Sequence, residues 1–526
     1  MTRYTKKSKI PPKILWPALL VSVVCAMAFA PSMSDQLTNW DDDGFVTNNL
    51  AIRSLAPENI GHMFTDTHYR GNYYPLTQLS YAVEYHFFQT SPEVYHFDNI
   101  LLHTVNSVLV LGLIFLISGK VEVALIAALL FAVHPLRVES VTWVSERKDV
   151  LYALFFISSL ISYVLYLKKP KELKFYLLAL GLFLLSVLSK GMAVSLPLAL
   201  ILLDFLKGRK ITRRALIDKI PFFAISVIFG YVAVHAQKAS GSVEGLAGFS
   251  IVNKLLYASY ALVFYLEKTV LPFKLSAIYP YPDSISPLYP LAIICLALCV
   301  AYSLKRTKKI FFGTAFFFFT IVFVLQILAV GKFIAADRYT YIPLIGVFYL
   351  YGEGFSAWVA WRRKRGHRNL GLYYLALGLL IASFAKLTYE RTQVWHDSYT
   401  LMSDVLKQYP NSVDARINRA LVTDDGNAAI ADYTVAIEHD PSRTVAYNNR
   451  GLLHYNRGEF AKAIQDYDAG IRGDPSYSNL YFNRMLYHYY YKKDYPKAWA
   501  DMRSAEALGY RVGESLQLEI ENSNKR

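Results

Sequence analysis

The sequence predicts an all-α protein in two parts: a polytopic helical bundle crossing a membrane about eleven times, then a soluble solenoid of paired helices. Only 18% of the 526 residues are charged and 54% are hydrophobic, against roughly 25% charged in soluble domains. About a dozen apolar segments, long enough or nearly long enough to cross hydrocarbon, recur up to residue 386. Beyond residue 387 the composition becomes that of a soluble helical domain and a spacing of 34 residues sets in. The expected domains are therefore 1–390 in the membrane and 391–526 outside it.

The chain begins with Arg3, Lys6, Lys7, Lys9 and Lys13, with no acid among them, ahead of an apolar run over 14–30. Ala28-Phe29-Ala30 would serve as a signal cleavage site, but the run is longer than a usual signal core and many spans follow. A retained first helix entering from the cytoplasm is expected. Further segments lie near 99–117, 121–133, 150–167, 175–189, 192–206, 220–236, 254–270, 288–303, 310–330, 342–359 and 370–386. Lys and Arg are retained on the cytoplasmic side, and the basic loops are 168–174, 207–214, 305–309 and 362–368. All four fall inside if one segment between 220 and 303 fails to cross. The expected exception is 254–270, which holds Glu267 and Lys268 and reads as an interfacial or re-entrant helix. The C-terminal domain is then external, as are the loops 31–98, 134–149, the turn at 190, 237–287 and 331–341, with 74–88 a helix lying on the membrane surface. The net charge of +15 marks cytoplasmic loops on this topology, not a nucleic-acid surface. Cys25, Cys295 and Cys299 sit inside apolar runs and are expected as small core residues, with no disulfide framework or metal knuckle.

The soluble part repeats. Pro441 and Pro475, Tyr433 and Tyr467, Asn449 and Asn483, and Arg450 and Arg484 each recur at a spacing of 34 residues. The stretch 447–475 has the small, aromatic and proline positions of a tetratricopeptide repeat. The preceding unit is three residues shorter, trimmed around Asp424-Asp425-Gly426-Asn427, and 397–410 resembles an isolated second helix that caps the array. About three repeats and a capping helix are expected, because a single helix pair cannot bury its apolar face alone.

Two clusters carry chemistry. Trp40-Asp41-Asp42-Asp43-Gly44 opens the first external loop about ten residues beyond the first span. Three adjacent carboxylates by a membrane repel unless a cation, a proton or hydrogen-bond donors offset them. One is suited to act as general base toward a hydroxyl while another holds a metal or orients an acceptor; the bland alternative is a solvated loop. The second cluster runs from His134 through Arg137, Glu139, Ser140, Trp143, Glu146, Arg147 and Lys148 to Asp149. On a helical period Glu139, Trp143, Glu146 and Arg147 share a face. A mixed set of acids, bases and imidazole beside hydrocarbon suits a phosphate head group, with or without a divalent ion, although Arg147 and Lys148 also fit a role as interface anchors. Asp42, Asp43 and Glu139 are the carboxylates available to such a metal. Lys190 and the motif Asp337-Arg338-Tyr339-Thr340-Tyr341 add cations on the same expected side, against the usual charge bias, and point charges of this kind recognise phosphate oxygens. His62, His68, His86, His96 and His103 lack a metal-ligand spacing, and no Walker, zincin or serine-hydrolase motif occurs.

A multispan body with an acidic motif in its first external loop resembles the GT-C superfamily of lipid-linked-sugar glycosyltransferases. The ordered set Asp41-Asp42, Tyr74-Pro75-Leu76-Thr77, Asn99 and His103, His134-Pro135, Glu139-Ser140-Val141, Glu146-Arg147-Lys148-Asp149, Ser189-Lys190 and Asp337-Arg338-Tyr339, followed by the repeats, resembles the transmembrane, tetratricopeptide-containing O-mannosyltransferases and their bacterial relatives. The resemblance implies inverting transfer of a sugar such as mannose from a polyprenyl phosphate to a Ser or Thr hydroxyl of a protein acceptor bound by the repeats. It implies Asp41 or Asp42 as general base. His134, Arg137, Glu139, Glu146, Arg147, Lys190, Arg338 and Tyr341 become the residues of the donor phosphate and active cavity. The eukaryotic proteins commonly show Lys-Glu where this chain has Lys190-Gly191, and carry longer arrays, which leaves donor and acceptor open. The short array and the lack of an endoplasmic-reticulum retention tail point to a bacterial inner membrane with a periplasmic solenoid. The competing expectation is a noncatalytic membrane scaffold whose repeats recruit proteins for envelope assembly. A transporter is disfavoured, because the ionisable groups fall near span ends.

Overall fold

The computed structural model describes residues 12–67, 69–210, 212–239, 250–282, 284–325, 333–367 and 369–525. Arg3, Lys6, Lys7, Lys9, His68, Arg368, the middle of the 237–287 loop and the last part of the 310–330 segment lie outside them. Among the described residues the structure is helical, apart from an isolated antiparallel bridge between Tyr279 and Ala335. The chain divides into two compact units, Met1–Asp397 and Ser398–Arg526.

The first unit contains α1 (Pro12–Phe29), α2 (Pro57–Thr65), α3 (Pro75–Phe88), α4 (Pro92–Ser118), α5 (Val121–Val133), α6 (Val138–Thr142), α7 (Arg147–Lys168) and α8 (Leu173–Ser189). It continues with α9 (Leu196–Leu206), α10 (Arg213–Ile217), α11 (Ile220–Ala239), α12 (Ile251–Val270), α13 (Leu288–Ser303), α14 (Lys308–Ile321), α15 (Leu344–Lys364) and α16 (Gly371–Thr392). Local chemistry sets many of these ends. Proline occupies the first turn of α2, α3, α4 and α9, where its missing N–H is no loss. Gly119, in the left-handed region, ends α4. Thr212, Ser250 and Thr307 cap α10, α12 and α14 through their side-chain oxygens.

Five stretches among the described residues are long and apolar enough to cross a membrane: Ile14–Ser34, Pro92–Ser118, Val144–Lys168, Arg213–Ala239 and Gly371–Trp395. A sixth exists if Val121–Val133 and Pro135–Thr142, bent by 59°, form one broken span. Leu173–Ser189, Gly191–Leu206 and Leu288–Ser303 are shorter apolar helices. The larger number of crossings expected from sequence includes such short segments; a helix of 16 residues rises only about 24 Å. Cys25 is buried, but Cys295 and Cys299 are exposed on α13, so these two are not core residues; an apolar helix in a bilayer can turn its apolar side chains outward. Small residues bring α14 and α15 together: a Cβ on Gly313 would lie 2.7 Å from the carbonyl oxygen of Gly346, the close backbone approach that membrane helices use.

The second unit is a run of helix pairs: α17 (Ser398–Gln408), α18 (Val413–Leu421), α19 (Gly426–His439), α20 (Thr444–Asn456), α21 (Phe460–Gly473), α22 (Ser478–Leu486), α23 (Tyr495–Ala507) and α24 (Glu514–Asn524). The internal repeat is visible as repeated ion pairs. Arg419 on α18 grips Asp432 on α19, Arg450 on α20 grips Asp466 on α21, and Arg484 on α22 grips Asp501 on α23, each through two guanidinium nitrogens. Arg450 also donates to Thr434, and Arg484 to Asp468, across to the preceding pair. Gly451 is required by packing, since a Cβ there would stand 2.6 Å from the ring of Tyr467, itself fully buried. Gly451→Leu is expected to destabilise this unit by about 1–3 kcal/mol through overpacking. Limited proteolysis of the full chain on a temperature ramp should show cleavage within 398–526 several degrees earlier than in the parent.

Candidate functional site

The loop after α1 turns sharply at its acidic triplet. Asp41 adopts φ +73°, a left-handed conformation that Asp tolerates better than most residues. This reversal sends neighbouring carboxylates in opposite directions: Asp41 and Asp43 are exposed, while Asp42 is buried. One oxygen of Asp42 accepts from the Thr38 backbone N–H at 2.8 Å and its hydroxyl at 2.9 Å. The other accepts from the Ser145 backbone N–H at 2.8 Å and from its hydroxyl. Asp42 therefore pins the first loop to the segment that precedes α7.

Burial pushes the Asp42 carboxyl up from its usual 3.8 to about 6, against the opposing pull of the Ser145 and Thr38 hydrogen bonds. The folded chain thus holds this proton more tightly than the unfolded one. Its contribution to stability is largest below pH 4, falls by about 3 kcal/mol as pH rises through the interval from about 4 to 6, and is flat above. Melting curves in detergent between pH 4 and 7 should show this decline in the parent and not in Asp42→Asn. Parallel curves for the two would exclude it.

The second cluster does not form the continuous helix expected from its spacing. Trp143 is extended, with φ −73° and ψ 117°, so α6 stops at Thr142 and α7 begins only at Arg147. The break separates residues assigned to one face. Glu146 turns toward Lys148, Lys190 and Arg338. Arg147 turns away and is spent on Glu84, Asn99 and the Tyr95 carbonyl, over the ring of Tyr81.

Glu146, Glu139 and Asp149 form a carboxylate floor beneath three cations. Lys190 Nζ lies 2.9 Å from Glu146 and 2.7 Å from Asp149. Lys148 Nζ lies 3.0 Å from Glu146. Arg338 pairs with Glu139 through its guanidinium, donates its backbone N–H to the same carboxylate at 2.8 Å, and reaches Glu146 at 3.3 Å. The side chains of Arg338, Lys148 and Lys190 are 16, 13 and 12% exposed, against 3, 2 and 0% for Glu139, Glu146 and Asp149. Solvent therefore meets the cations and not the acids. Burial opposes the charge on Lys190, but Asp149 and Glu146 outweigh it and raise its pKa, so it stays protonated.

Aromatic rings join this floor to the acidic loop. The Trp143 indole donates to the Trp40 carbonyl at 2.7 Å, and Arg338 lies over Trp143 at 5.4 Å. Lys148 sits among Phe45, Trp143 and Tyr74 at 5.2, 5.7 and 5.8 Å. The Tyr74 hydroxyl and the Trp40 indole N–H are buried without a hydrogen-bond partner among the described residues. Unmade bonds of this kind are uncommon in native structures.

Several expected site residues serve the frame instead. His134 bonds the Thr269 carbonyl at 3.0 Å and packs on Phe348 and Phe384. Arg137 donates to the carbonyls of Thr340 and Tyr341 at 3.1 and 2.7 Å. The Tyr341 hydroxyl meets His103 at 2.7 Å and Asn106 at 3.2 Å. These side chains, with Arg147, are consumed by internal partners, as burial of polar groups demands. Of the carboxylates named for a metal, Asp43 is exposed and accepts from the Gly44 N–H. Asp42 and Glu139 are engaged by Thr38 and Ser145 and by Arg338, and no group of three or more His, Cys, Asp or Glu suited to a metal occurs among the described residues. Conversely, Lys148, for which the sequence left both a phosphate site and an interface anchor open, joins the cations, and Ser145, to which the sequence gave no role, holds Asp42. Their position in a charged external stretch was the available signal.

No protein-family model matches the chain. It is similar to human protein O-mannosyl-transferase TMTC1, 24% identical over an alignment 507 positions long, gaps included, that covers 84% of this chain and 57% of that protein. The Caenorhabditis elegans protein O-mannosyl-transferase F38B6.6 is 25% identical over an alignment 448 positions long, covering 77% of this chain and 60% of the relative. Human TMTC4 is 32% identical over an alignment 179 positions long, covering 30% of this chain and 24% of that protein. The chain thus spans somewhat over half the length of the first two relatives. Among solved structures, the Archaeoglobus fulgidus oligosaccharyltransferase in its apo form matches 80% of this chain and 59% of its own, with 15% identity and a TM-score of 0.43.

Proposed function

We propose that the chain is an integral membrane glycosyltransferase of the GT-C kind, moving a sugar from a polyprenyl phosphate to a Ser or Thr hydroxyl of a protein. The observation that carries this is the trio Arg338, Lys190 and Lys148, presented above buried carboxylates and joined through Trp143 to the loop bearing Asp41. Similarity along most of the chain to protein O-mannosyl-transferases supports it. Asp41 is assigned as general base and Asp42 as a positioning residue, since Asp42 has both oxygens occupied. The acceptor oxygen attacks the anomeric carbon and its proton passes to Asp41. The bond from that carbon to the phosphate oxygen breaks, and its electron pair leaves on the phosphate, which the three cations hold. Charge developing on the departing phosphate is where fixed positive groups lower a barrier most. The Tyr74 hydroxyl and Trp40 N–H are available to the bound substrate. The 391–526 region is assigned to the acceptor, and the basic loops support an external position for it; a bacterial inner membrane is the proposed location.

The test is transfer of labelled mannose from polyprenyl-phosphate mannose to envelope proteins by the purified full chain in liposomes. Mass spectrometry of envelope proteins from deletion and complemented strains identifies the acceptor. A scaffold without catalytic activity predicts no transfer, and a phenotype that survives Asp41→Asn but vanishes on deletion of 411–526.

A further inference from the structure

A cavity of about 980 Å³ lies between α9, α10 and α11, and Trp143 is not among its lining residues. It is at the upper end of the roughly 300–1,000 Å³ typical of ligand sites. Lys190 precedes α9, whereas Asp204 lies in its last turn and Arg209 and Lys219 follow it. α9, with its 11 residues, separates its two ends by about 16 Å. The cavity walls are Ile201, Leu216, Ile220, Phe223, Val227 and Ile228, all of them large exposed apolar side chains. A trough with such walls, on a stretch apolar enough to span a membrane, opens toward lipid.

Its rim is cationic. Lys219, almost wholly buried, contacts Tyr163 and lies 2.6 Å from Asp204. Arg209 pairs with Asp218, and lies 3.0 Å from the Tyr163 hydroxyl and 3.5 Å from Asp204. These two cations are balanced by the two acids and held in place. Lys210 and Lys308 also line the cavity; neither makes an ion pair with a carboxylate among the described residues, and Lys308 reaches only the Phe205 carbonyl and ring. Two positive charges are therefore left unneutralised at the mouth of an apolar trough.

We infer that this groove binds an anionic phospholipid of the bilayer, with the acyl chain along α9 and α11 and the head-group phosphate at Lys210 and Lys308. Charge complementarity selects the anionic lipid: a zwitterionic head group would bring its own cation to a rim already in positive excess. The inference is independent of the transfer reaction.

The test uses the purified full chain, stripped of lipid in detergent and titrated with palmitoyl-oleoyl phosphatidylglycerol, phosphatidylcholine with the same chains, or glycerol phosphate, with adducts read by native mass spectrometry. Retention of phosphatidylglycerol above phosphatidylcholine is expected, and it should fall about 30-fold in Lys210→Ala/Lys308→Ala, at about 5-fold per cation. Val227→Trp/Ile228→Trp should reduce retention with the rim charges intact. Equal retention of both lipids, or undiminished retention in the double lysine variant, overturns the inference. Glycerol phosphate binding as well as the phospholipid overturns the acyl-chain assignment. An unchanged melting temperature shows that each variant is folded.

Discussion

Asp41→Asn is expected to lower sugar transfer by about 10²- to 10⁴-fold, the usual worth of a positioned base, in protein that inserts and melts like the parent. Asp41 is exposed and its left-handed backbone turns it away from the buried contacts of its neighbour, so its removal strands no internal partner. The contrast with Asp42→Asn is the sharper test. There the amide would point a donor at backbone N–H groups that now donate to a carboxylate. Activity and melting temperature should then fall together, with a structural loss of about 1–3 kcal/mol. Asp43→Asn should retain most activity, because among the described residues this side chain accepts only from its own loop, at the Gly44 N–H. Full turnover by Asp41→Asn would remove the proposed base.

Arg338→Met should abolish transfer and also destabilise the membrane unit by about 3–5 kcal/mol, the penalty for leaving one charge of a buried pair without its partner. Glu139 is the stranded group: it is 3% exposed, and both of its oxygens are engaged by Arg338. Two functions are superimposed on this arginine, and a second substitution separates them. Arg338→Met/Glu139→Gln removes both charges and should restore most of the melting temperature. Transfer should stay lost, because the phosphate still lacks its cation. Recovery of both would make Arg338 a structural residue only. Lys190 and Lys148 would then have to hold the leaving group between them, above Glu146 and Asp149.

The two-part helical architecture was legible because it rests on short-range chemistry. Apolar runs, proline at helix starts and the 34-residue spacing are properties of neighbouring residues, and Arg450 and Arg484, 34 residues apart, carry that spacing into space in their pairs with Asp466 and Asp501. The site was legible as a list of charged residues on loops, where solvation alone would not require so many near hydrocarbon. Their division of labour was not. Within Glu146-Arg147-Lys148 the sequence offers three adjacent charges, and only the break at Trp143 sends Arg147 inward to Glu84 while Glu146 and Lys148 face Arg338 and Phe45. Likewise the triplet Asp41-Asp42-Asp43 is uniform as text, and one left-handed residue makes its middle member a buried pin. Local composition dictates which segments are helical and apolar. Which charge is consumed by the frame and which remains available depends on partners distant in sequence, 41 residues apart for Lys190 and Asp149 and 203 for Arg137 and Thr340, and burial makes that choice nearly irreversible, because an unpartnered ion inside the bundle is too costly to keep.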